Sequence, residues 1–204
     1  ASGLELRMLA HYMDDPAYTK EILEGDIHTA NQIAAGLPTR PQAKTFIYAF
    51  LYGAGDAKIG SVVGGSARAG QKLKQKFLEN TPALAELREK VSTASKRGYL
   101  RGLDGRRLWI RSEHAALNTL LQSAGAIIMK KSLAIFMEYA PQWKLDYKLL
   151  GSIHDEYQIE ASDKDAEQVG ILMVESIKAA GISFDMKCPL DGDYKIGNNW
   201  ADTH

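Results

Sequence analysis

The sequence predicts an α+β fold with a small antiparallel sheet and many helices. Three observations support this prediction. Helical patterns recur along the chain, Leu103-Asp104-Gly105 provides a hairpin turn between two strand-like segments, and a second pair of short strands flanks His154-Asp155-Glu156. The sequence contains neither internal repeats nor a low-complexity stretch.

The first half of the chain is predicted to be mostly helical. Thr39 is a suitable N-cap, and Pro41 is tolerated in the first turn of the helix that follows. Glycine and proline mark the ends of the helices. Residues 1–13 are predicted to form a short strand that runs into a helix, and residues 21–35 to form two helical pieces with a break at Gly25. The helix that starts at Thr39 is predicted to stop at Gly53. A loop at Gly64-Gly65 and helices over 67–79 and 82–95 follow.

The second half mixes strands and helices. Residues 114–139 are apolar almost all round, which predicts a buried central helix. Ser162 and Asp165 resemble a capping box at the start of another helix. The remaining predictions are a hairpin between Tyr99 and Ile110, two strands within 149–159, the end of the later helix near Gly181, and a last strand over 182–186.

Composition places the chain among ordinary globular proteins, with 45% hydrophobic and 25% charged residues. We expect no membrane span, because no run of about 18 apolar residues is present. Cys188 is the only cysteine, so an intramolecular disulfide is excluded and a cytoplasmic setting is expected.

Charge is segregated along the chain although the formal net charge is zero. Residues 68–111 contain twelve Lys/Arg and four Asp/Glu, whereas residues 151–204 contain four Lys/Arg and eleven Asp/Glu. Phosphates respond to the local potential within about 10 Å, the Debye length at 0.1 M salt. The pattern fits solvated helix faces, and it also fits an enzyme that holds a nucleic-acid backbone and concentrates metal ions.

Arg40, Lys44, Tyr48 and Tyr52 recur at four-residue spacing on one predicted helix. Such a series drifts by only about 40° per step, so the four side chains follow one side of the helix. An Arg and a Lys near a helix N-terminus suit a triphosphate, because the Arg forks onto oxygens and the helix dipole favours anions. The alternative is a solvated face edged by two tyrosines.

His154-Asp155-Glu156 lies between the two strand-like segments near the C-terminus. Carboxylate oxygens at such a turn suit Mg²⁺, which takes one or two protein carboxylates and completes its shell with phosphates and water. A polar hairpin tip is one alternative. A hydrolase with His154 as base or metal ligand is another, but the other histidines lack a metal-ligand spacing.

Taken together, these motifs resemble DNA polymerase family A over essentially the whole chain. The phrase from Ser2 to Arg7 is similar to the family's first motif, Asp-x-Ser-x-x-Glu-Leu-Arg. The Arg40 to Gly53 series resembles the fingers helix over the incoming nucleotide, and His154-Asp155-Glu156 resembles the third motif, on the palm hairpin. Phrases such as 25–29 and 117–126 look most like the replicative polymerases of short-tailed phages.

The resemblance implies a polymerase palm plus an α-helical fingers subdomain, and DNA-templated transfer of dNTPs to a primer 3′-hydroxyl with two Mg²⁺ ions. It divides the chain into a palm (1–24 and 106–204) and fingers (25–105), with thumb and exonuclease domains absent. It also assigns roles to individual residues. The catalytic residues would be Asp155, Glu156 and Lys44, and the metal ligands Asp155 and the backbone carbonyl of Ala1. The nucleotide would contact His28, Arg40, Lys44, Tyr48, Tyr52 and Glu5, and the DNA would contact Asn118, Gln122, His114 and His154.

The leading Asp of the first motif is missing before Ala1. We therefore expect a fragment of a longer enzyme, one half of a split polymerase, or an incompletely given sequence, and a chain that is inactive or nearly so by itself. An upstream polypeptide would supply the Asp, the thumb and an exonuclease. The expected partners are primer-template DNA and dNTPs in the cytoplasm of a host bacterium, with no membrane. A non-catalytic DNA- or partner-binding module is the alternative, and a metal-dependent phosphohydrolase is third.

Overall fold

The computed structural model of the chain describes residues 1–203, which form ten α-helices and four β-strands. The helices are α1 (Leu4–Met13), α2 (Pro16–Leu23), α3 (Ile27–Ala35), α4 (Arg40–Leu51), α5 (Asp56–Ser61), α6 (Ala67–Glu79), α7 (Pro82–Ser95), α8 (Ala116–Tyr139), α9 (Ala166–Ser183) and α10 (Trp200–Thr203). The strands are β1 (Tyr99–Arg101), β2 (Arg107–Trp109), β3 (Tyr147–Ile153) and β4 (Glu156–Ala161). The predicted α+β class is confirmed, with two separate two-stranded antiparallel sheets, β1-β2 and β3-β4.

Residues 9–122 form one compact unit, built mainly from helices. Its core includes three aromatic rings in edge-on or tilted contact: the Phe46 and Phe77 centroids lie 5.1 Å apart, and those of Phe50 and Phe77 5.4 Å. Phe46 and Ile47 are fully buried, so α4 is fixed by its apolar side. The opposite side of α4, which carries the four-residue series, is more exposed to solvent.

Residues 1–8 and 123–203 form the second compact unit. The later turns of α8, the β3-β4 hairpin and α9 enclose a cluster that includes Phe136, Leu172 and Met173. Phe136 packs edge-on against Tyr147 of β3, with ring centroids 4.9 Å apart. The tyrosyl hydroxyl of Tyr157 donates to the backbone carbonyl of Met129, which ties β4 to α8. The predicted division into palm (1–24 and 106–204) and fingers (25–105) is a statement about subdomain roles and stays a prediction.

Two predicted strands are wrong. Residues 1–13 contain α1 and no strand, because Leu4, Leu6, Met8 and Leu9 are buried on several sides of one helix and so mimic strand alternation. Residues 182–186 contain no strand either. Helix α9 continues to Ser183, and the amide of Met186 then donates to the carbonyl of Gly181 at 3.1 Å, which closes the helix end.

Residues 113–139 form one helical stretch that is long and apolar enough to cross a membrane by length and composition, with a mean hydropathy of 1.3 in its most apolar window. Half of that window is buried inside the protein. The core helix of a globular protein satisfies the same composition criterion, and the sequence predicts a buried central helix here. Composition alone therefore does not identify this helix as a membrane segment.

Candidate functional site

Helix α4 presents the predicted cationic and phenolic series on its less buried side. Thr39 caps the helix as predicted, and its hydroxyl accepts from the amide of Gln42 at 3.4 Å. Arg40 and Lys44 are exposed, and Tyr48 is half-buried. Tyr52 caps the C-terminal end, where its ring centroid lies 6.4 Å from that of Tyr48. The series therefore runs the full length of α4, with both cations in its first turns.

Asp26 contacts two of the predicted nucleotide-binding residues, and sequence reasoning missed this role. Its carboxylate caps α3 by accepting from the amide of His28 at 3.0 Å. The same carboxylate accepts from Nε of Arg40 at 2.6 Å and from Nη2 at 3.1 Å. This bidentate contact with Arg40, more than any other, holds the pKa of Asp26 well below its ordinary range.

His28 lies beside Tyr48, with ring centroids 6.3 Å apart. Partial burial, and then the positive charges of Arg40 and Lys44, lower the pKa of the His28 imidazole. A neutral imidazole is therefore favoured at neutral pH. Its Nδ1 atom is buried and has no hydrogen-bond partner among residues 1–203. A polar atom in that state is one that a bound ligand can satisfy.

The β3-β4 hairpin places Asp155 at its tip. Ile153 pairs with Glu156, so His154 and Asp155 form a two-residue turn. His154 has a φ of 54°, a left-handed conformation that is uncommon for a residue other than glycine. Asp155 is exposed, whereas Glu156 is half-buried and accepts from Nε2 of Gln158 at 2.5 Å.

The first residues of the chain lie against this hairpin tip. The backbone nitrogen of Ala1 donates to the backbone carbonyl of Asp155 at 2.5 Å, across 154 positions of sequence. Ser2 is fixed from the other side, because its amide donates to the carbonyl of Asp191 at 3.0 Å and its hydroxyl to the carboxylate of Asp193 at 3.1 Å. The structure thus brings the first motif and the third motif together.

Arg7 holds this segment in place, a role that sequence reasoning missed. Its Nε donates to the carbonyl of Ser2 at 2.8 Å, and its Nη1 donates to the carbonyl of Pro189. Both acceptors are backbone carbonyl oxygens, which every residue type provides, and Pro189 is 182 positions from Arg7 in the sequence. No pattern in the sequence could have marked them.

The groove beside the hairpin tip, of about 1000 Å³, is lined by Ala1, Asp155, Glu156 and Asp193. Among residues 1–203 no group of three or more His, Cys, Asp or Glu side chains could hold a metal ion by itself. Carboxylate and carbonyl oxygens are nevertheless the donors that Mg²⁺ takes, in small number, when phosphates and water complete its shell. The residues present therefore fit a divalent ion that is shared with a phosphate-bearing ligand and a further carboxylate.

The predicted DNA-binding residues are placed in three settings. His114 is exposed in a 3-10 turn (Glu113–Ala115). Its backbone carbonyl oxygen lies close to Gly53, and a Cβ on residue 53 would be only 2.3 Å from that oxygen. Asn118 and Gln122 follow on α8; Oδ1 of Asn118 is buried without a hydrogen-bond partner in the described part of the chain. His154 is at the hairpin tip. Glu5, predicted to contact the nucleotide, is half-buried in α1.

Comparison with known proteins defines the class of this chain. Residues 1–202 match DNA polymerase family A. The DNA-directed DNA polymerase of Escherichia phage T7 is 48% identical over all of this chain and 32% of its own length, and that of Escherichia phage Phieco32 is 40% identical over all of the chain and 39% of its own length. The polymerase domain of Pol1 from M. smegmatis, solved with DNA primer-template and dNTP, superposes with a TM-score of 0.81 at 22% identity, over 93% of this chain and 37% of that one.

The chain therefore belongs to DNA polymerase family A, and the resemblance to the family's phage members is confirmed. It spans about a third of the length of these phage relatives. The M. smegmatis structure independently supports the α+β fold.

Proposed function

We propose that the chain is the nucleotide-binding and metal-binding part of a DNA-templated DNA polymerase, which transfers dNTPs to a primer 3′-hydroxyl. The observation that carries this proposal is the contact between Ala1 and Asp155, because it joins two family motifs that lie 154 positions apart. A protein that had kept the fold only for binding would not need a carboxylate at this place.

The triphosphate would bind at the N-terminal half of α4. Arg40 supplies a planar guanidinium, Lys44 supplies a point charge, and the neutral His28 supplies a hydrogen bond. Three of the five guanidinium N–H groups of Arg40 remain after the two bonds to Asp26. Tyr48 would contact the sugar. Glu5 would lie beneath the 2′ position of the sugar and exclude ribonucleotides.

Asp155 and the backbone carbonyl of Ala1 would hold Mg²⁺, with Glu156 assisting nearby. Two such ions, when bound, would activate the primer 3′-hydroxyl and stabilise the charge that develops at the α-phosphate. We propose that an upstream polypeptide supplies the first-motif aspartate, the thumb and an exonuclease domain. The chain's share of about a third of the phage relatives' length supports this.

The DNA would contact Asn118, Gln122, His114 and His154. In the minor groove the acceptors are similar for every base pair, so Gln122 and Asn118 can monitor base-pair shape without reading sequence. In this proposal residues 1–24 and 106–204 act as the palm and 25–105 as the fingers, and the enzyme works in the cytoplasm of a host bacterium.

Primer extension with Mg²⁺ and all four dNTPs tests the proposal. We expect synthesis when the chain is supplied with the upstream polypeptide, and little or none from the chain alone. Asp155→Ala should reduce the rate by about 10³-fold, because it removes a metal ligand that acts in the transition state. Asp146→Ala, which removes an exposed carboxylate just before β3 and outside the groove lining, is the matched control and should leave the rate unchanged.

Anisotropy of a labelled primer-template separates the two leading alternatives. If the complete mixture binds DNA but extends no primer, the binding-module function takes the place of the polymerase function. If Asp155→Ala and Asp146→Ala lower the rate equally, the catalytic assignment of Asp155 fails.

A further inference from the structure

The β1-β2 hairpin turns one face toward the core and the other toward solvent. Leu100 pairs with Leu108, and Leu100 is buried. Residues directly opposite in an antiparallel pair share a face, and the face alternates along each strand. Tyr99 opposite Trp109 and Arg101 opposite Arg107 therefore share the outward face.

On this face, two arginine side chains lie against the Tyr99 ring, which contacts the Trp109 ring. The guanidinium carbon of Arg97 lies 4.8 Å from the Tyr99 ring centroid, and that of Arg107 lies 5.0 Å from it. The Tyr99 and Trp109 rings meet edge-on with centroids 5.8 Å apart. Trp109 is 69% exposed, an unusual state for the largest apolar side chain.

Apart from the Asp104–Arg106 pair, the positive charge on the hairpin is not neutralised by other residues within 1–203. Asp104 is the one acidic residue between Tyr99 and Ile110, and it is paired with Arg106, with 2.6 Å between Nη2 and Oδ2. Among residues 1–203 no carboxylate lies within ion-pair distance of Arg101 or Arg107, although the two face each other directly across the sheet. Like charges placed directly opposite destabilise a strand pair. A bound polyanion would remove that cost.

We propose that Arg97, Tyr99, Arg101, Arg107 and Trp109, here called the hairpin face, bind single-stranded nucleic acid. The arginines would contact backbone phosphates, and an unpaired base would stack on the open ring of Trp109. A duplex hides its base faces, so the exposed aromatic favours a single strand. The identification of this strand with the unpaired part of the template rests on the proposed function, but the binding itself does not.

Fluorescence anisotropy with a labelled 12-nucleotide oligo(dT) and the 204-residue chain tests the proposal. Arg101→Gln/Arg107→Gln should weaken binding about ten-fold and reduce the slope of log K against log salt by about 1.4, since each phosphate contact on a single strand contributes about 0.7. Trp109→Leu should weaken binding about ten-fold with the slope unchanged, because stacking releases no counterions. It should also abolish quenching of tryptophan fluorescence by the oligonucleotide.

Arg68→Gln/Lys72→Gln removes the same charge from exposed positions of α6 and should have a several-fold smaller effect. An equal loss in this control, or normal binding by Trp109→Leu, would overturn the proposal. Tighter binding of a glutamate-rich peptide of equal charge would also overturn it, and would assign the face to an acidic protein partner.

Asp155→Ala separates this inference from the proposed function. The variant should bind the oligonucleotide normally while primer extension is lost. Normal extension with binding that is independent of the hairpin would refute only the hairpin face, whereas binding that depends on the hairpin without any extension would refute only the polymerase.

Discussion

Asp26 shows how one side chain can organise a site without belonging to it. It holds both the guanidinium of Arg40 and the start of the helix that carries His28. We expect Asp26→Asn to raise the KM for dNTP about three- to five-fold with kcat nearly unchanged. Asparagine retains the cap but loses the charge that orients Arg40, and the effect is small because water screens an exposed ion pair. Steady-state kinetics of the complete polymerase would measure both constants.

Asp15 is the matched control for that change. It caps α2 in the same manner, accepting from the amides of Ala17 at 2.9 Å and Tyr18 at 3.2 Å, and it holds no arginine. Asp15→Asn should leave both constants unchanged. A lower KM for Asp26→Asn would mean that Asp26 competes with phosphate for Arg40 and does not prepare it.

Sequence patterns predicted which residues lie on the same side of one helix. They did not predict contacts between residues of different elements. The spacing from Arg40 to Tyr52 placed these side chains on one side of α4, because a helix has a fixed period. Asp26 and Arg40 are 14 positions apart, with helix α3 and a loop between them. No periodicity can predict such a contact. The Ala1–Asp155 contact was expected only because the motifs resembled a family, and the site roles themselves remain predictions.

Helices were predicted well where caps and breakers define them, and poorly elsewhere. The predicted bounds 67–79 and 82–95 match α6 and α7, because Thr81-Pro82 both stops one helix and starts the next. Helix α5 was not predicted. Gly55 and Gly64 lie on either side of its six residues, and glycines of this kind indicate a loop. Gly181 was taken as a helix end, but it serves close packing: a Cβ there would lie 2.9 Å from Leu190.

Helices α5 and α6 pack closely against each other, and Gly70 permits this close approach. A Cβ on Gly70 would lie 1.9 Å from the carbonyl oxygen of Asp56 and 2.6 Å from the amide nitrogen of Gly60. Both are backbone atoms that cannot rotate away, so α5 and α6 would have to separate. We expect Gly70→Ala to lower the free energy of unfolding by about 2–3 kcal/mol in urea titrations followed by circular dichroism.

Gly125 provides the comparison, since it also lies inside a helix, α8. A Cβ there would contact only the Leu4 side chain, with Cδ2 at 3.3 Å and Cγ at 3.6 Å, and this side chain can rotate. The strain should be offset by the gain of about 1 kcal/mol when alanine replaces glycine in a helix. Gly125→Ala should therefore be nearly neutral. A similar loss for the two variants would show that Gly70 is not a special point of contact.

The two compact units carry opposite charge. Residues 9–122 contain 16 Lys/Arg and 11 Asp/Glu, a net charge of +5, and the remainder contains 9 Lys/Arg and 14 Asp/Glu, a net charge of −5. The predicted triphosphate contacts and the hairpin face both belong to the positive unit, whereas Asp155 belongs to the negative one. The proposed polyanion contacts and the proposed metal site thus lie in oppositely charged parts of the chain, and the net charge of zero does not reveal this segregation.

This separation predicts that the chain binds a polyanion even above its isoelectric point of about 7.2. At pH 8 it should be retained on immobilised heparin and elute with salt, because a polyanion responds to the charge within a Debye length and not to the total. Replacing Arg68, Lys72, Arg101 and Arg107 by Gln should lower the eluting salt concentration clearly. Replacing Lys130, Lys131, Lys144 and Lys164 changes the net charge equally but should shift elution little. Equal shifts would mean that net charge governs binding and that the segregation has no part in it.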